Sequence, residues 1–187
     1  MMPVIRLSDA TFLELKTIAT WLSANTPSEV IDRLVREKLD QLGLERDHDD
    51  EPELGSADDV MKFEKAPGLS FTRITAAKIG GVPIKKVNWA NLLLEMIASL
   101  KAKGLSGAKL VSELQVPAKS TEYSNDGYTY HPQLGISVQG QSAQDAWKEV
   151  ERIAVKWAIP VEVEFQWRQH KNAQHPGRSA LLRIRGR

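Results

Sequence analysis

Residues 142–167 read Ser142-Ala-Gln-Asp-Ala-Trp-Lys-Glu-Val-Glu-Arg-Ile-Ala-Val-Lys-Trp-Ala-Ile-Pro-Val-Glu-Val-Glu-Phe-Gln-Trp167. Two periods meet inside this stretch. Ala146, Trp147, Val150, Ile153, Ala154 and Trp157 recur at the spacing of one helix face, behind Ser142 as a capping hydroxyl. Pro160 is expected to stop that helix. Beyond it Val161, Val163, Phe165 and Trp167 alternate with Glu162, Glu164, Gln166 and Arg168, the pattern of a half-buried strand.

The same alternation of elements extends outward. Leu181-Leu-Arg-Ile-Arg185 reads as a last strand pairing back across a loop at 169–179. Upstream, 69–75 and 82–84 flank Gly80-Gly81, the signature of a β-hairpin. Asn88 caps a helix whose Trp89, Leu92, Leu93, Met96, Ile97 and Leu100 form one apolar face, ending near Gly104. A shorter helix is expected from Ser106 to Leu114, closed by Pro117. Tyr128 to Val138 reads as a turn-rich lead-in to one strand carrying Leu134, Ile136 and Val138. Residues 68–187 therefore predict an α+β domain with a mainly antiparallel sheet.

The chain has 187 residues, 42% of them hydrophobic, with 25 Lys+Arg against 24 Asp+Glu and no cysteine. That length suits one medium domain or two small ones. Disulfide scaffolds and cysteine-based metal or thiol chemistry are excluded. No apolar run approaches the ~18 residues of a membrane span. Met1-Met-Pro-Val-Ile-Arg6 lacks the basic-then-apolar pattern of a secretory leader, so a cytoplasmic location without a membrane partner is expected.

Charge is distributed unevenly. Residues 1–44 carry 5 basic and 6 acidic side chains, a balance of −1; residues 45–64 carry 2 and 9, or −7; residues 65–187 carry 18 and 9, or +9. The acidic stretch, broken by Pro52 and Gly55 and poor in large apolar residues, predicts a flexible linker over 45–67. Residues 166–187 contain Arg168, Lys171, Arg178, Arg183, Arg185 and Arg187 and no acidic residue, which reads as an electrostatic footprint for phosphate backbones. A charged edge strand that blocks sheet-to-sheet aggregation would also produce this run.

The first forty-four residues contain a short apolar-alternating stretch, Pro3 to Ser8, and two helical patterns. The first carries Phe12, Leu13, Leu15, Ile18, Ala19 and Leu22 and ends near Asn25. The second starts at Thr26-Pro-Ser-Glu29, a capping box with proline at its first helical position, carries Val30, Ile31, Leu34, Val35, Leu39 and Leu42, and stops at Gly43. One strand and two helices cannot close a core alone, and without cysteine a second copy of the chain is the expected remedy.

The Val4-Ile5-Arg6-Leu7 ribbon and the Thr26-Pro27-Ser28-Glu29-Val30-Ile31 helix start resemble a ribbon–helix–helix module over roughly residues 2–43. The resemblance implies a dimer whose paired ribbons enter the DNA major groove, with Val4, Arg6 and Ser8 outward, and a second-helix start, at Thr26 and Ser28, lying against phosphate. Arg6 is the residue suited to guanine. Val4 is apolar where a reading residue belongs, and Glu29 brings a negative charge to the implied phosphate site. The order of parts is similar in layout to the SeqA family of replication regulators, which implies oligomerisation in front and DNA binding behind; Val87-Asn-Trp-Ala-Asn-Leu-Leu-Leu94 and Gly127-Tyr-Thr-Tyr130 carry the local likeness.

Catalytic patterns are scarce. His170 and His175 lie five apart with no carboxylate to complete a zinc set, so no metal or other cofactor is expected. Neither a phosphate loop nor a nucleophile elbow occurs. Glu162, Glu164 and Gln166 share a strand face on which a nuclease could hold a divalent ion, but the solvent side of an alternating strand explains them equally. Trp89, Trp147, Trp157 and Trp167 fall on apolar faces and are expected in the core or an interface. The sequence points to a non-enzymatic, homodimeric, sequence-specific DNA-binding protein acting in transcription, replication or plasmid maintenance. The rival is a non-catalytic adaptor or structural subunit of a DNA-processing or defence complex, whose first module only dimerises.

Overall fold

The computed structural model describes residues 6–22, 26–42, 60–63 and 65–186. The chain divides into two compact units, Met1–Glu45 and Arg46–Arg187. In the first, helices α1 (Asp9–Leu22) and α2 (Pro27–Leu42) pack against each other. Ser8 starts α1, its Oγ accepting from the Thr11 N–H at 3.1 Å. The capping box at α2 forms as expected: Thr26 Oγ1 accepts from the Glu29 N–H at 3.2 Å, and Glu29 Oε2 accepts from the Thr26 N–H at 3.3 Å. Pro3, Val4 and Ile5 of the expected ribbon, Asn25 and Gly43 lie outside the described residues, and Arg6 to Ser8 take no regular secondary structure.

Among its described residues the second unit is mixed α+β, with three helices and two sheets. Its main sheet has the order β1 (Met61–Phe63), β8 (Ser179–Ile184), β7 (Val161–Trp167), β2 (Thr72–Ile79), β3 (Val82–Pro83), antiparallel except where β1 pairs with β8. Helices α3 (Trp89–Ala102) and α5 (Ala143–Lys156) pack together and against it. A short α4 (Gly107–Glu113) precedes the second sheet, of order β4 (Ala118–Lys119), β6 (Ile136–Gln139), β5 (Tyr128–His131). The core collects the inward faces of all these elements, with Val161, Val163, Phe165 and Trp167 of β7 fully buried at its centre.

Local chemistry explains the elements. Asn88 Oδ1 accepts from the Asn91 N–H at 2.7 Å to start α3, and Ser142 Oγ accepts from the Asp145 N–H at 3.1 Å to start α5. Gly80 and Gly81, at φ 61 and 82, supply the two positive-φ positions of the β2–β3 turn. Strand β2 carries an irregularity between Ile74 and Ala76. The extra residue, Thr75, shifts the side-chain parity so that Ile74, Ala77 and Ile79 are all buried.

Four expectations change. Helix α5 is not stopped by Pro160: it ends at Lys156, where Ala158 turns left-handed at φ 52 and the Ile159 N–H returns to the Ala154 carbonyl at 2.9 Å. Tyr128 to Val138 is not one strand but the hairpin β5–β6, with Leu134 buried in its turn. The last strand is Ser179–Ile184, so Arg185 lies beyond it. Met61–Phe63, inside the stretch read as linker, is an edge strand, because Met61 and Phe63 alternate with exposed Lys62 and lean on the core. Residues 45–59 and Glu64 of that stretch lie outside the described residues.

A polar network ties α4 to α5. Glu149, only 3% exposed, accepts from Arg152 Nε, from Arg152 Nη2 and from the Gln115 N–H, each at 2.8 Å. Glu113 Oε1 meets Lys156 Nζ at 2.6 Å and accepts from Trp157 Nε1 at 3.2 Å. The bond from Lys156, with those from Trp157 and the charge of Arg152, holds the Glu113 carboxyl below the ordinary 4.5 despite its desolvation. A lowered folded pKa contributes stability that is complete above 4.5 and is lost as pH falls through the folded value. Denaturation midpoints of wild type and Glu113→Gln should therefore differ most near neutrality and converge as pH falls from 4.5 through the lowered folded value.

The core tryptophans supply a second check. Trp89 Nε1 donates to Thr72 Oγ1 at 3.0 Å and Trp167 Nε1 to the Gly68 carbonyl at 2.9 Å, whereas Trp147 Nε1 has no hydrogen-bond partner among the described residues. Each Trp→Phe change removes a similar volume. In urea denaturation, Trp89→Phe and Trp167→Phe should therefore cost about 1 kcal/mol more than Trp147→Phe.

Candidate nucleic-acid interface

Strands β7 and β8 are joined by residues 168–178, and this loop is held by its own backbone. The Trp167 N–H donates to the Arg178 carbonyl at 3.0 Å, the Gly177 N–H to the Trp167 carbonyl at 3.0 Å, and the Ala173 N–H to the His170 carbonyl at 3.0 Å. Gly177 sits at φ 73, the left-handed position this closure needs. Two aromatic contacts fasten the loop to the sheet. His170 stacks on Phe71 with centroids 3.9 Å apart and planes 11° apart, and His175 stands edge-on to Trp167 at 4.8 Å. Phe71 itself has φ 59, and its carbonyl accepts from the Arg168 N–H at 2.7 Å.

The loop gathers three of the five basic residues singled out as C-terminal contacts. Arg168 is half-buried at its start, Lys171 is exposed in its middle and Arg178 is exposed at its end. Arg73, which sequence reasoning passed over, joins this end of the sheet. It stands opposite Gln166 in register, its Nη2 donates to Gln166 Oε1 at 2.8 Å, and Gln166 Nε2 donates to the Gly177 carbonyl at 3.3 Å. The available signal was its place on β2, alternating with buried Thr72 and Ile74.

Arg183 and Arg185 do not join the group. The six residues of β8 lie between Arg178 and Arg185, which are therefore seven positions apart, about 23 Å at ~3.3 Å per residue. Arg183 points to the sheet's outer face, where its Nε lies 3.4 Å from Glu162 Oε1. The single footprint read from composition is thus divided between the two ends of a hairpin, because an antiparallel return sends the last strand away from its own loop.

Strand β7 does present Glu162, Glu164 and Gln166 on one face. Their neighbours are cations: Lys78 and Arg183 flank Glu162 in register, and Arg73 bonds to Gln166. Among the described residues no group of three or more His, Cys, Asp or Glu side chains is placed to hold a metal ion. The tryptophans expected inside are there: Trp89, Trp147 and Trp167 are buried, and Trp157 is half-buried on Glu113.

In the first unit Arg6 is exposed, and Val4 lies outside the described residues. Ser8 and Thr26 both use their hydroxyls on their own helices. The Glu29 carboxylate reaches back over the start of α2, so the position where the resemblance puts phosphate already holds an anion of this chain. Ser28 is exposed. No protein-family model, curated protein or solved structure matches the chain. Among the described residues no helix is long and apolar enough to cross a membrane.

Capping and ligand contact are separable at Thr26 and Ser28. Thr26→Ala should destabilise the protein by about 1 kcal/mol, the usual cost of a lost cap, and Ser28→Ala by less than about 0.5 kcal/mol. Thermal unfolding followed by circular dichroism measures both.

Proposed function

We propose that this chain is a homodimeric DNA-binding protein acting as a sequence-specific regulator of transcription, replication or plasmid maintenance in the cytoplasm. Its first unit dimerises, and the loop end of its second unit lies on the phosphate backbone. The observation that carries the reading is the convergence of Arg73, Arg168, Lys171 and Arg178 at one end of the sheet, in a loop and strand free of acidic residues from 165 onward. Such a cluster attracts a polyanion through counterion release.

Dimerisation is supported by the apolar inventory of the first unit. Among its described residues only Leu15 and Val30 are buried hydrophobics, while Leu7, Phe12, Leu13, Leu34 and Val35 remain exposed, Leu13 by 63%. Two helices with so little buried surface require a partner, and a second copy presents the same apolar side chains. The adaptor reading, in which this unit only dimerises, draws on the capping roles of Ser8 and Thr26 and on the anion already at the start of α2.

Two measurements on the full chain test this. Light scattering should show a dimer that Leu13→Glu converts to monomer; a wild-type monomer at micromolar concentration removes the dimer from the proposal. Binding to a labelled duplex across a salt series should weaken steeply with salt. Lys171→Ala and Arg178→Ala should each flatten the log–log slope by about 0.9, and Arg185→Ala should leave it unchanged. Absence of duplex binding at low salt overturns the DNA reading, and binding insensitive to Arg6→Ala assigns the contact to the second unit alone.

A further inference from the structure

All three tyrosines of the chain, Tyr123, Tyr128 and Tyr130, lie in or against the small sheet, far along the chain from the basic loop. Tyr128 and Tyr130 share one face of β5, opposite Gln139 and Ser137 of β6, and Lys119 of β4 stands opposite Ser137 on the same face. Residues 120–127 fold back over this face. Ser137, fully buried, accepts from the Tyr123 N–H at 2.8 Å and donates its hydroxyl to the Thr121 carbonyl at 2.8 Å. At the other end Gln139 Nε2 donates to the Asp126 carbonyl at 2.9 Å, and the Gly140 N–H donates to the Gly127 carbonyl at 2.9 Å. The segment is therefore pinned twice to the central strand.

This pinning builds a two-walled aromatic clamp. The Tyr123 and Tyr128 rings meet nearly edge-to-face, with centroids 5.5 Å apart and planes 80° apart. The Tyr123 hydroxyl donates to Asp126 Oδ2 at 2.5 Å, which fixes that ring's rotation. The same bond, with some desolvation, raises the phenol above its ordinary 10.0. The Lys119 ammonium lies 3.1 Å from the Tyr123 centroid and 4.7 Å from that of Tyr128. The chain has in effect loaded its own cation into the clamp.

We propose that the Tyr123–Tyr128 clamp is a cation-recognition site, held in the free protein by Lys119, which exchanges that lysine for a quaternary ammonium such as a trimethylated lysine side chain of a partner protein. Charge favours a cationic occupant over a nucleic acid: the ring faces are negative, and the segment carries Glu122 and Asp126 against the single positive charge of Lys119. A quaternary ammonium is the cation best able to displace Lys119. It has no N–H groups to satisfy and is less costly to strip of water than the primary ammonium it replaces, while its positive charge is still attracted to both rings. Tethered Lys119 reduces the fraction of open sites and so weakens the apparent affinity in proportion.

The test follows the ring protons of Tyr123 and Tyr128 by NMR as full-length protein is titrated with tetramethylammonium chloride, with sodium chloride at equal ionic strength as the control. Lys119→Gln keeps most of the side chain and empties the clamp of charge. It should give saturable shifts at concentrations at least about tenfold lower than wild type, and Lys119→Ala should do the same. Adding Tyr123→Leu to either variant should abolish those shifts, and a trimethyllysine peptide should compete where its unmodified counterpart does not. Equal behaviour of wild type and both Lys119 variants, or shifts that sodium chloride reproduces, would overturn the proposal. So would binding that survives Tyr123→Leu in a protein whose tryptophan fluorescence shows it folded.

Discussion

Burial of one face of β7 is the constraint on which the second unit depends. Val161, Val163, Phe165 and Trp167 reach the centre of the core, with β2 on one side, β8 on the other and helices against them. Each such side chain contributes roughly 1.5–3 kcal/mol by leaving water, and together they fix the register of both neighbours. Trp167 terminates the series, and its ring meets Phe165, Phe63 and His175 while its N–H reaches Gly68. Because that end of β7 is held so firmly, the loop that follows has a defined origin. The Arg178 carbonyl is bonded to the Trp167 N–H and the Arg168 N–H to the Phe71 carbonyl, so the backbone of both arginines is fixed at that strand end.

That constraint was the most readable part of the sequence. A period of 3.6 in 142–157 followed by a period of two in 161–167 identifies α5 and β7 almost to the residue, and Asn88, Ser142 and Gly80-Gly81 mark element ends through capping and turn chemistry that needs no tertiary context. What could not be read depended on partners remote in sequence. Three residues, Met61 to Phe63, are too few to show a period, and they form a strand only because β8 offers an open edge. Ala158 carries no sign that it will turn left-handed, so Pro160 drew the attention that belonged to it. In the candidate site, composition located the basic residues but not their directions. The antiparallel return of β8 separates Arg185 from Arg178, and cross-strand register brings in Arg73 from ninety-five positions upstream of Arg168.

The two units distribute their surfaces differently. The first has apolar side chains in excess of what two helices can cover, and its polar termini are satisfied internally by Ser8, Thr26 and Glu29. The second has a complete core and offers its unusual chemistry outside it: a basic loop at one end of the main sheet and a tyrosine clamp on the small sheet. In our reading the first unit supplies multiplicity and the second supplies contact, so that two basic loops and two clamps are presented together. Under such an arrangement modest contacts at each loop add through effective concentration rather than through individual strength.

The position of β7 and β8 late in the chain has a consequence for biosynthesis. Strand β2 leaves the ribosome early, yet Thr72 pairs with Trp167 and Ile79 with Val161, so it waits for more than eighty further residues before its principal neighbour exists. At typical synthesis rates of about 5–20 residues per second that interval lasts several seconds, long against the microseconds in which helices α3 and α5 form. During it the apolar side of the β2–β3 hairpin has α3 to rest on but not β7, and one long edge stays unsatisfied. The nascent chain is accordingly most vulnerable to association with its neighbours on the same polysome just before its central strand emerges, and holdase chaperones would act on it in that window.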